Sequence, residues 1–137
     1  MKVAVRYFSR SGNTKKLAEA IAKAAGVEAK DCGVPLSDPV DVLFLGASVY
    51  GGAPDKQLSD FIAALDPQSV KCAALFGSSA IAKKPDQGTE KLLAQKNIPV
   101  SERRFFCRGS FLFLHRGRPN AEDLKQAADF AAGFEKK

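Results

Sequence analysis

The chain has 137 residues, 45% of them hydrophobic and 26% charged, so we expect a single domain over residues 1–137. With 21 Lys and Arg against 15 Asp and Glu, the net charge is +6. No run approaches the ~20 apolar residues of a membrane span, and the sequence opens on a strand-like segment without a leader pattern. A soluble, cytoplasmic protein with no membrane partner is therefore expected.

The first predicted elements are a strand over residues 3–8 and an amphipathic helix over 14–25, joined by Ser9-Arg10-Ser11-Gly12-Asn13-Thr14. Hydroxyls, an amide and backbone N–H groups at a helix start offer an anion site on the positive end of the helix dipole. The same residue types are also ordinary capping and turn residues. Arg10, Lys15 and Lys16 favour the anion site, because cations at a helix start oppose the dipole; solvated lysines are the alternative.

This loop also lacks the sequence signatures of several known sites that bind or react with phosphate. It matches neither G-x-x-x-x-G-K-[ST] nor G-x-G-x-x-G, which disfavours nucleoside triphosphates and dinucleotides. It contains no cysteine nucleophile, and Ser9 and Ser48 stand where a phosphorylated receiver domain would need acidic residues. A phosphate is therefore expected to be held there rather than attacked.

The rest of the chain alternates between predicted strands and helices. Apolar residues at i, i+3, i+4 and i+7 after Pro54 indicate a helix that ends at Asp66-Pro67. Strands are predicted at 27–31, 40–47, 72–76 and about 101–107, and further helices at 89–96 and after Asn120. The last helix has Asn120 and Asp123 as its predicted capping residues. Its apolar face is formed by Leu124, Ala127, Ala128, Ala131 and Phe134. This alternation predicts a parallel sheet between two layers of helices.

Cysteine and charge patterns narrow the remaining possibilities. Cys32, Cys72 and Cys107 show no C-x-x-C spacing, and His115 is the only histidine, so neither a disulfide framework nor a metal site is predicted. Much of the positive excess lies in the second half of the chain, which favours an acidic ligand or partner. A solvated basic surface is favoured over nucleic-acid binding, because no basic stripe alternates with aromatic residues and no nucleic-acid-binding motif is present.

Three predicted loops meet at one edge of this sheet. Open parallel sheets bind ligands beyond the carboxyl ends of their strands, where the strand order reverses. The loops 9–14, 48–52 and 77–80 all follow strands, and Tyr50 offers an aromatic surface beside Gly51 and Gly52. A phosphorylated planar ligand fits this combination.

These motifs resemble the flavodoxin family over nearly the whole chain. The family's T-x-T-G-x-T phosphate loop is matched by residues 9–14, with serine for the first two threonines. Ser48-Val49-Tyr50-Gly51 matches the second flavin loop, with Tyr50 in place of the frequent tryptophan, and Gly77-Ser78-Ser79-Ala80 matches the third more weakly. The resemblance implies an α/β three-layer sandwich with a five-stranded parallel sheet in the order 2-1-3-4-5.

The resemblance also implies non-covalently bound FMN. Its phosphate is expected on residues 9–14, Asn13 and Ser48 near the ribityl chain, and the backbone of residues 78–80 near the pyrimidine edge. The implied cofactor-binding residues are Ser9, Arg10, Ser11, Gly12, Asn13, Thr14, Ser48, Val49, Tyr50, Gly51, Gly52, Gly77, Ser78, Ser79 and Ala80. Phe111, Phe113 and His115 stay open as the second stacking residue, and no catalytic side chain is expected.

Three functions follow from this resemblance. The first is an electron carrier between redox proteins, and the second is an FMN-dependent reductase or oxidase acting on a quinone, nitro compound or porphyrin. The third is a binding module of the same fold that has lost FMN. Flavodoxins are usually acidic whereas this chain is basic, so we expect redox partners with acidic docking faces and a less negative hydroquinone couple.

Overall fold

The computed structural model describes residues 2–8, 13–36, 38–49, 56–79, 87–107 and 121–133. Strands and helices alternate through these ranges, as the sequence predicts. The elements are β1 (Val3–Phe8), α1 (Asn13–Ala25), β2 (Ala29–Asp31), β3 (Val40–Val49), α2 (Lys56–Ala63), a 3-10 turn (Pro67–Ser69), β4 (Val70–Ser79), α3 (Gln87–Gln95), β5 (Phe105–Cys107) and α4 (Ala121–Ala132). In these parts of the chain, no helix is long and apolar enough to cross a membrane.

The strands form one parallel sheet in the order β2-β1-β3-β4-β5. The predicted α/β fold with a parallel sheet is confirmed. Its outer strands β2 and β5 have 3 residues each. The longest ladder of paired residues is therefore the one between the central strands β3 and β4. The chain leaves β1 on one side to form β2 and returns on the other side as β3, which places the reversal of strand order at β1.

Helices cover the sheet on both faces, which gives three layers. On one face, α1 and α4 pack over Val5, Phe44 and Phe76. On the other face, α2 and α3 pack over Leu43 and Leu75. Because successive residues of a strand point to opposite faces, the apolar runs of β3 and β4 supply both cores at once.

A buried arginine holds the connection from β2 to β3, which contains no helix among its described residues. Arg6 of β1 is only 6% exposed. Its Nε donates to the Val34 carbonyl at 2.8 Å and its Nη2 to the Pro35 carbonyl at 3.2 Å, while Nη1 donates to the Val5 carbonyl at 3.0 Å. Burial lowers the pKa of the Arg6 guanidinium, although such a group stays charged at neutral pH. Arg6 therefore ties the connection to the sheet where a crossover helix would otherwise pack.

Several element boundaries differ from the sequence prediction. β3 and β4 continue to Val49 and Ser79, beyond the predicted ends, because Ser48 pairs with Ser78 and Val49 with Ser79. The prediction that 48–49 and 77–79 begin loops is therefore wrong. The helix predicted to run to Asp66 ends at Ala63, and Leu65 is buried beyond its end. The predicted starting residues Pro54 and Asn120, and the apolar Phe134, lie outside the described residues.

We predict that Arg6→Met lowers the free energy of unfolding by about 2 kcal/mol, because two partly buried carbonyls lose their donor. Chemical unfolding in urea measures this change. Lys30→Met, on the exposed side of the neighbouring strand β2, is the matched control and should shift stability by less than about 0.5 kcal/mol. Equal effects of the two substitutions would contradict the role assigned to Arg6.

We predict a fall in stability at acidic pH that depends on two carboxyl groups. Hydrogen bonds from the Lys2 backbone and Lys71 lower the pKa of Asp41, and a 2.8 Å contact from Arg104 lowers the pKa of Glu90. Groups with lowered pKa values stabilise the fold above the unfolded-state pKa of about 4 and lose that contribution as pH falls through the folded value. Asp41→Asn and Glu90→Gln should flatten the profile of stability against pH below about pH 5, as measured by urea unfolding at a series of pH values.

Candidate cofactor site

The positive end of α1 lies at the carboxyl end of β1. β1 ends at Phe8 and α1 begins at Asn13. Ser9, Arg10, Ser11 and Gly12 lie outside the described residues, as does the side chain of Asn13. The first turn of α1 contains no acidic residue, and the Thr14 side chain is fully buried. The dipole of this helix is therefore not offset by a carboxylate of its own first turn.

The ends of β3 and β4 bring two further predicted segments to the same edge. Ser48 and Ser78 are register partners, and so are Val49 and Ser79. Tyr50, Gly51, Gly52 and Ala80 lie outside the described residues, so their assignment stays a prediction. The structure nevertheless brings together the last residues of three strands that precede all three predicted loops.

A row of aromatic residues and one glycine crosses the sheet near the carboxyl ends of the strands. Tyr7, Gly46, Phe76 and Phe105 are successive register partners across β1, β3, β4 and β5. A Cβ added at Gly46 would overlap the ring of Phe76, so glycine is required for this ring to lie across β3. The Phe105 ring lies 6.0 Å from that of Phe130. α4 therefore packs against one end of this row through Phe130.

Sequence reasoning missed Gly46 and Phe76 as supports of the site. A usable signal was present, because a single glycine inside an otherwise apolar strand often marks a close approach by another group. By its pattern alone, the apolar run that contains Gly46 predicts only a buried central strand. Its partner Phe76 could not be identified, because cross-strand register depends on the whole sheet.

The residues present at this edge fit a phosphorylated flavin. The strand ends carry the small residues Ser48, Gly77, Ser78 and Ser79, a composition compatible with the approach of a planar group to the backbone. The start of α1 supplies backbone N–H groups for a phosphate. Among the residues that the structure describes, no group of His, Cys, Asp or Glu is arranged to hold a metal ion.

The fold is that of a doubly wound α/β protein in which the start of a helix lies at the point where the strand order reverses. A model of the Flavodoxin domain family matches residues 4–110. The chain belongs to the flavodoxin family, and FMN is the cofactor of that family. Proteins of this family transfer electrons to redox partners.

Solved flavodoxin structures share the fold of this chain. A flavodoxin from the domain Archaea has 22% identity and a TM-score of 0.70, with 97% of this chain and 95% of that chain covered. Oxidised flavodoxin 2 from Bacillus cereus has 20% identity and a TM-score of 0.72, with 98% of each chain covered. Rubredoxin oxygen:oxidoreductase from Desulfovibrio gigas has 15% identity and a TM-score of 0.75, with 95% of this chain but only 34% of that chain covered. No curated protein matches the sequence significantly.

We predict that Gly46→Ala destabilises the protein by about 1–3 kcal/mol, since the added methyl group overpacks the core against Phe76. Phe76→Leu removes the obstructing ring, so the double variant should be more stable than the sum of the two single effects implies. Urea unfolding of all four proteins measures the coupling. Additive effects would contradict the contact between these two positions.

Proposed function

We propose that the protein is an FMN-dependent electron carrier, which accepts electrons from one redox protein and passes them to another. The observation that carries the proposal is the position of the α1 start beside the ends of β3 and β4 at one edge of the sheet. Membership of the flavodoxin family supports it. When bound, FMN supplies the redox chemistry, and the protein sets its potential by contacts and local charge.

The proposed site assigns a part of FMN to each segment. The phosphate binds Ser9, Arg10, Ser11, Gly12, Asn13 and Thr14, where the backbone N–H groups of α1 hold it. Asn13 and Ser48 lie near the ribityl chain, and Tyr50 stacks on the flavin between Val49 and Gly51-Gly52. Gly77, Ser78, Ser79 and Ala80 approach the pyrimidine edge through their backbone. Small residues at these strand ends support the assignment, because they leave the backbone accessible.

The proposal also covers the location of the protein in the cell, its partners and its redox potential. We place it in the cytoplasm as a single domain over residues 1–137. Its net charge of +6 supports partners with acidic docking faces, since opposite charges accelerate encounter and orient the complex. The same charge favours the anionic hydroquinone, so its couple should be less negative than in acidic flavodoxins.

The first experiment adds excess FMN to the purified protein, removes unbound flavin by desalting, and follows stepwise photoreduction without oxygen. Retained flavin that is reduced in separate one-electron steps, with negligible turnover of NAD(P)H, is the expected result. Direct two-electron reduction with turnover of a quinone or nitro compound would instead identify a reductase. Failure to retain flavin at micromolar protein would identify a non-redox module and overturn the proposal.

We predict that Ser11→Asp weakens FMN binding about 100-fold, because the new carboxylate repels the phosphate, and hardly changes riboflavin binding. Fluorescence titration with the two flavins measures both affinities. Ser59→Asp, on α2 of the opposite helix layer, makes the same change in net charge and is the control. A similar loss of riboflavin affinity in Ser11→Asp would place the flavin ring, rather than the phosphate, at this loop.

A further inference from the structure

We propose that a groove along α1 and beside β2 is the surface on which an acidic redox protein docks, with the carboxylates of that partner at Lys15 and Lys16. The proposal rests on the electron-carrier function proposed above and adds the location and the orientation of the partner. The groove has a volume of about 940 Å³. It is separate from the residues assigned to the flavin.

The groove combines apolar and charged surface in the way that protein interfaces do. Tyr7, Val27 and Leu124 contribute apolar lining, whereas the exposed Lys15 and Lys16 lie at one end. Protein interfaces typically place an apolar centre within a polar rim. The concave shape and mixed lining therefore suit a folded protein surface.

The charges along the groove are unequally distributed. Lys15 and Lys16 lie in the first turn of α1, which contains no acidic residue, and the positive end of the helix dipole adds to their field. Glu19 follows one turn later, and Lys23 in the last turn is offset by Glu28 beyond the negative end of the helix, so the positive excess lies at the start of α1. A partner is therefore attracted in one orientation, with its carboxylates at the start of α1.

This orientation places the partner next to the proposed cofactor site. Lys15 and Lys16 directly follow Thr14, the last residue of the proposed phosphate loop. Thr14 is fully buried, whereas the two lysine side chains are exposed to solvent. The lysines are thus available to a partner while the backbone of the same turn holds a phosphate.

The two carboxylates of the groove favour an acidic protein over a continuous polyanion. Lys23 lies between Glu19 and Glu28, so charges alternate along this part of the groove, and the two glutamates would repel the evenly spaced charges of a nucleic acid or an anionic membrane. A protein surface can instead present carboxylates to the two lysines and a cation or neutral group to Glu28. Charge complementarity therefore identifies the occupant as an acidic protein face.

The test measures electron transfer from a reduced, acidic [2Fe–2S] ferredoxin, used as the probe, to the oxidised, FMN-loaded protein at low and high ionic strength. Lys15→Glu and Lys16→Glu are compared with Lys91→Glu, an exposed residue of α3 outside the groove. We expect each groove variant to lower the second-order rate constant about tenfold at low salt and Lys91→Glu less than about twofold. At high salt the differences should disappear.

Two further measurements separate docking from cofactor binding. FMN affinity is determined for every variant, so a lower transfer rate with unchanged affinity is assigned to docking. Binding of the oxidised ferredoxin to the FMN-free protein, followed by titration calorimetry, should weaken in the same two variants. This second readout tests the docking surface even if the carrier function proves wrong.

Three results would overturn the proposal. Equal effects of Lys91→Glu and the groove variants would show that only net charge matters. Unchanged ferredoxin binding in Lys15→Glu and Lys16→Glu would exclude the groove. Tighter binding of phosphatidylserine vesicles or a single-stranded oligonucleotide than of ferredoxin, lost in the same variants, would identify a general polyanion surface.

Discussion

The register between β1, β3 and β4 is the constraint on which the rest of the structure depends. Val5 pairs with Phe44 and Phe44 with Ala74, so the strands are aligned over their whole length and buried under helices on both faces. A shift of one residue would exchange the two cores. Because this register is fixed, the carboxyl ends of the strands meet at one edge of the sheet.

The alignment also explains why the β2–β3 connection needs a charged anchor. A parallel crossover usually contains a helix that buries apolar surface against the sheet. Residues 32–39 are too few for a helix together with its turns, so their polar backbone passes over β1. Arg6 donates hydrogen bonds to two of these carbonyls from within the sheet. A single side chain thus compensates for a shortened crossover.

The sequence predicts those features that depend on local pattern and misses those that depend on pairing. α1 and the buried run of β3 follow from periodicity and composition, and their bounds lie within two residues of the prediction. Gly and Ser are typical of turns and therefore predict loops at the ends of β3 and β4, yet the ladder between these strands continues through Ser48 and Ser78. The anchoring role of Arg6 cannot be predicted from local pattern, because its hydrogen-bond partners are carbonyls 28 and 29 residues away in the sequence.

The family resemblance carried the site prediction further than residue patterns alone. Hydroxyl and glycine residues at a helix start are ambiguous, and only their combination with two later loops indicates a flavin. The physical basis of that combination is the shared sheet edge, which periodicity locates only approximately. α1 then connects the two proposed roles. Its buried face, including Thr14 and Leu17, fixes its start against the sheet, so the same rotation of the helix leaves Lys15 and Lys16 facing solvent. In the proposed assignment, packing of one amphipathic helix thereby sets both the position of the phosphate site and the surface offered to a partner.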